Sequence, residues 1–170
     1  MSSELLQSAT PSVMIVYNDA LRGCKRMKDP YQSGMFNSNP YHAKTDIIGS
    51  LNVVLSGKLE NRELSLIKQI SRCVLTHEIH ELILSDEDGI GPGSTVNKIA
   101  YLGFTEIKQG GVLTTGDSVY CAGKLVGTLA GFDETHMPNH LNIVIKSDTR
   151  MSGAEQNVSL GDEVVFKHSK

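Results

Sequence analysis

From Leu51 to the C-terminus the apolar residues come in short, β-branched runs broken by glycine-rich turns, and this punctuation constrains the fold more than any other feature. "LNVVLSGKL", "NRELSLIKQI", "RCVLTHEIHELIL", "TVNKIAYLGFTEI", "LNIVIKS" and "VSLGDEVVFKH" each have strand length and composition. "GDSVYCAGKLVGTLAGF" reads as two strands around Ala122-Gly123, and "DEDGIGPG" as a turn or loop. Short strands at such spacing predict an all-β domain, a small and mainly antiparallel β-barrel. Aromatics make up only 5% of the chain and there is no Trp, so Val, Ile and Leu must build the core. "LTTGDSVY" and "VSLGDEVVF" share a Gly-Asp turn leading into a strand: glycine supplies the positive φ and aspartate accepts from the turn amides.

Residues 1–49 differ from residues 50–170. "TPSVMIVYNDALRGCKRM" opens with Thr-Pro, a helix-start signal, and Val13, Tyr17, Ala20 and Cys24 fall at helical spacing. A short helix within about 11–28 is expected, followed by an irregular arm, "KDPYQSGMFNSNPYHAKTD". Its Pro30-Tyr31 and Pro40-Tyr41 pairs need an outside surface, which predicts packing on the barrel or on a second copy, giving a homodimer.

Several classes are excluded by composition. The net charge of -3 and pI near 6.0 oppose nucleic-acid binding, which calls for a basic face. No apolar run approaches the ~18 residues of a membrane span. The N-terminus lacks the positive region of a secretory signal. Cys24, Cys73 and Cys121 are scattered and odd in number, with neither metal nor disulfide spacing, so a reducing, cytoplasmic setting is expected.

Chemistry concentrates in "GFDETHMPNH". Phe132 ends one strand and Leu141 begins another, and Pro138 keeps the connection out of a sheet interior. His136 and His140 can converge in a turn as a general base or as metal ligands, zinc for example, while Asp133 and Glu134 can orient an imidazole or act as acid and base. No third metal ligand is fixed by local spacing. "THEIHEL" is not the H-E-x-x-H helix motif, because the second His comes one residue early. On a strand, His77 and Glu81 would share one face, and Glu78 and His80 the other. "SDEDGIGPGS" lacks the ligand spacing of a calcium loop and reads as solvated. His42 and His168 read as exposed bystanders.

"GGVLTTGDSVYCAGKLVGTLAGF", "NHLNIVIKSD" and "VSLGDEVVFK" together resemble the glucitol/sorbitol-specific IIA component of the bacterial phosphotransferase system, over roughly residues 70–168. The resemblance implies a β-barrel, and a loose match of "CVLTHEIHEL" to the family's acceptor strand puts His77 nearest the phosphoacceptor position. The N-terminal arm has no counterpart there. The chain also resembles a family of uncharacterised proteins with a "GFDETHMPNHLNI" core.

These residues predict a cytoplasmic enzyme of lyase, isomerase or hydrolase type acting on a small polar metabolite. Its site is expected at a barrel mouth, combining Asp133, Glu134, His136 and His140 with His77 and Glu81. A histidine phosphocarrier and a non-catalytic binding or assembly module are the alternatives.

Overall fold

The computed structural model describes residues 40–169, and the expected N-terminal helix, most of the arm, and any dimer contact made by residues 1–39 lie outside them. The chain order is β1 (Ile47–Val54), β2 (Lys58–Leu59), β3 (Leu64–Ser65), β4 (Ser71–Val74), β5 (Ile79–Ser85), β6 (Thr95–Val96), β7 (Ile99–Gln109), β8 (Gly111–Thr114), β9 (Ser118–Cys121), β10 (Lys124–Asp133), β11 (Asn142–Lys146), α1 (Gly153–Gln156) and β12 (Glu163–Lys167). The all-β expectation holds.

Seven strands close on themselves in the order β1-β12-β9-β10-β11-β5-β7 and back to β1. Every pairing in this ring is antiparallel except β11–β5, where Asn142 lies opposite Glu81 and Ile143 opposite Leu82. All seven strands send apolar side chains into one cluster, which includes Leu51, Leu82, Leu102, Val119, Phe132, Ile143 and Phe166. Alternate positions on four of the strands, Ile83, Ile99, Ala130 and Val144, face the other way and form a second cluster with Leu64, Leu66 and Val96. The β3–β6 pair therefore covers part of the ring's outer face. Burial on both faces explains why β5 reads as a continuous apolar run after Glu81.

The β9–β10 hairpin turns at Ala122 and Gly123, both with positive φ (49° and 75°), the geometry that matches strand twist in a two-residue turn. The two Gly-Asp turns also form as expected. Gly116 and Gly161 have φ of 93° and 88°, and Asp117 and Asp162 accept from the amides of Thr114 and Ser159, three residues back.

Two strand readings need correction. "NRELSLIKQI" is strand only at Leu64–Ser65, with a single bridge from Leu66 to Asp133. "THEIHEL" is not one strand: Glu78 N–H donates to Leu75 O (3.2 Å), His77 takes a positive φ of 74°, and β5 starts only at Ile79. Among the described residues, no helix is long and apolar enough to cross a membrane.

Candidate functional site

The cluster grows from the pairing of four strands. Asp133 ends β10 opposite Asn142, Asn142 lies opposite Glu81 on β5, and Glu81 lies opposite Phe104 on β7. Residues paired in this way share a face. Leu82 and Ile143 point into the ring, so Glu81 and Asn142 point outward. The site therefore sits on the outer face at the strand ends, under the 134–141 connection, rather than in the ring's interior.

Asp133 anchors that connection. Its carboxylate accepts from Ser65 N–H (3.0 Å), Thr135 N–H (3.1 Å), Thr135 Oγ1 (3.0 Å) and Asn142 Nδ2 (2.9 Å), and the residue is 1% exposed. Beyond it, Met137 N–H donates to Glu134 O and Asn139 N–H to His136 O, each at 2.9 Å. These turns fold the segment back so that His136 Nδ1 stands 3.0 Å from His140 Nε2, with ring centroids 4.8 Å apart.

Glu81 supplies the third member. Its Oε2 lies 3.8 Å from His140 Nε2, and one ligand atom from each of Glu81, His136 and His140 falls within 4.8 Å of the others. Glu81 is 6% exposed, yet no hydrogen bond reaches its carboxylate among the described residues. Burial raises its pKa against the opposing pull of His136 and Arg62. Burial lowers that of His140, helped by the neighbouring His136 and His80, which favours the neutral imidazole that binds metals. Asn142 adds an orphan: its Nδ2 is spent on Asp133, and its buried Oδ1 has no partner among the described residues.

His80 holds the loop from below. Leu141 N–H donates to its Nδ1 (3.2 Å), so the proton of the neutral ring sits on Nε2, facing Glu78 Oε2 at 3.2 Å. Desolvation lowers the pKa of His80 against the stabilising pull of Glu78.

A groove of about 510 Å³ opens beside the cluster, lined among others by His77, Ile79, His80, Phe104, Met137 and His140. Phe104 meets His140 edge-on, with centroids 5.1 Å apart.

His136, His140 and Glu81 are thus brought together. Asp133 touches the same loop with its carboxylate already saturated. Glu134 points away to Arg72 (2.8 Å). His77 does not share a strand face with Glu81; its Nδ1 meets Glu106 Oε1 at 2.9 Å on the groove's rim. The Glu78–His80 pairing does form. His80 and Asn142 were missed as site residues. The strand alternation of Glu78 and His80 was the available signal for one, and nothing local marks the other.

Residues 41–167 match a family described as a family of unknown function, DUF6917, and the chain belongs to it. No curated protein and no solved structure matches the chain, so the comparisons return no glucitol/sorbitol-specific IIA component.

Proposed function

We propose that this DUF6917 member is a small-molecule enzyme of lyase, isomerase or hydrolase type, whose working centre is a divalent metal such as zinc held by Glu81, His136 and His140. The observation that carries the reading is Glu81: a nearly buried carboxylate with no hydrogen-bond donor, facing two imidazole nitrogens. Burying a carboxylate without a partner is costly. A cation at the centre gives Glu81 a close partner and takes the imidazole lone pairs in place of the His136–His140 contact. Two histidines and one carboxylate, open on one side to a groove, also form a donor set found at catalytic zinc. Such a cation polarises a carbonyl and lowers the pKa of water, which suits hydration, hydrolysis and proton abstraction.

The surrounding residues have positioning roles. Asp133 fixes the start of the ligand loop through four hydrogen bonds. His80 fixes its end through the Leu141 amide, next to His140. Outer contacts of this kind orient metal ligands and tune their basicity.

The test is calorimetric titration of chelator-treated protein with zinc. One site per chain is expected, and His136→Ala and Glu81→Gln should each lose at least about tenfold in affinity. Among the described residues the only hydrogen bond of His136's side chain is to His140, so His136→Ala should move the folding free energy by less than about 1 kcal/mol. Unchanged zinc affinity in both variants would refute the centre.

A further inference from the structure

We infer that the groove beside this centre takes an uncharged acyl compound, an amide or ester bearing an apolar substituent, in preference to an anion. The inference rests on the metal reading and adds the class of molecule that meets the metal.

The charges around the groove point this way. Among the described residues no Lys or Arg lines it, and the one carboxylate there, Glu78, accepts from Leu75 N–H (2.8 Å) and faces His80. Among the described residues, the cations around this centre have partners of their own. Arg72 is bound to Glu134 (2.8 Å), Lys108 to Glu106 (2.7 Å), and Arg62 Nε donates to the Tyr101 hydroxyl (3.2 Å). A phosphate or carboxylate is ordinarily gripped by a free guanidinium or ammonium. Beyond the metal itself, the described groove walls give an anion no such grip, and Glu78 stands on the wall against it.

Part of the wall is apolar. Ile79 and Met137 stay 44% and 42% exposed at the groove, beside Phe104 and Pro138. Because Phe104 packs directly on His140, a ligand whose polar head reaches the metal lays its next few atoms against this wall. An apolar wall set beside a polar focus selects ligands of the same layout.

The experiment uses the full chain loaded with zinc. Zinc content is measured first, then binding of four probes: benzamide, acetamide, benzoate and inorganic phosphate. Benzamide should bind about tenfold more tightly than acetamide, a preference of the size expected from covering one aromatic ring. Benzoate and phosphate should bind more weakly than benzamide. Ile79→Ser should cut the preference for the aryl probe to less than about threefold at unchanged zinc content, and Met137→Ser serves as a second variant at the same wall. Equal affinity for benzamide and acetamide, or tighter binding of benzoate or phosphate than of benzamide, would overturn the inference while leaving the metal centre standing. A protein that takes up no zinc would overturn both.

Discussion

Asp133 and Glu134 are neighbours in the chain with separate fates. Asp133 is buried and saturated by four donors, while Glu134 is half-exposed and paired with Arg72 across the surface. Asp133→Ala leaves several buried donors unpaired and should cost roughly 1–3 kcal/mol of stability, with loss of zinc binding as the loop loosens. Glu134→Gln should cost under about 1 kcal/mol, the range of surface ion pairs. Urea unfolding of both variants checks this, and the reverse order would show that Asp133 is not the anchor. The cysteines part company in the same way. Cys121 is buried, and desolvation, with Asp162 adding to it, pushes its thiol up to about 11, whereas Cys73 is exposed. Brief iodoacetamide treatment of the folded protein at pH 8 should alkylate Cys73 and spare Cys121, read by peptide mass spectrometry; prompt labelling of Cys121 would contradict its burial.

At the level of elements, legibility followed the range of the interaction. The β9–β10 hairpin was readable because Ala122-Gly123 carries its turn, and the Gly-Asp turns because their hydrogen bonds span three residues. The convergence of His136 and His140 was readable for the same reason. Glu81 as their partner was not, because the parallel β11–β5 register that sets Asn142 beside it joins strands about sixty residues apart, and no periodicity encodes register. "THEIHEL" misled because its polar alternation imitates a strand, while the positive φ of His77 is invisible in the sequence. The one short helix among the described residues, α1, was not foreseen. It is closed by a capping box in which Ser152 Oγ accepts from Glu155 N–H and Glu155 accepts from Ser152 N–H. Lys58 chiefly, with Ser152, holds the Glu155 carboxyl down at about 2 from its usual 4.5. A depressed carboxyl contributes stability that is present above the unfolded pKa and lost as pH falls through the folded one. Stability should therefore drop between pH 4.5 and about 2, and Glu155→Gln should flatten that slope. Acid titration of the thermal midpoint reads this, and an unchanged slope would remove Glu155 from the cause.

Across the whole molecule, the ring is tied together by a buried charge cluster remote in sequence. Lys44, just before β1, is bonded to Asp117 and donates to Val112 O (2.9 Å), while His168, after β12, stands 3.6 Å from the same carboxylate. Lys44 and Asp117 are only 7% and 1% exposed, so Lys44→Ala takes the ammonium partner from a buried carboxylate and should cost roughly 3–5 kcal/mol, measured by denaturation. Little loss would mean that the segment before β1 is not part of the closed unit. That rigid ring is what allows two loop histidines and a strand glutamate to hold one position. The most direct test of that centre is an anomalous difference map recorded at the zinc edge from crystals of zinc-loaded protein. A single peak is expected at about 2.0–2.2 Å from Glu81, His136 and His140 together. A peak bound elsewhere, or none among these three side chains, would contradict the account.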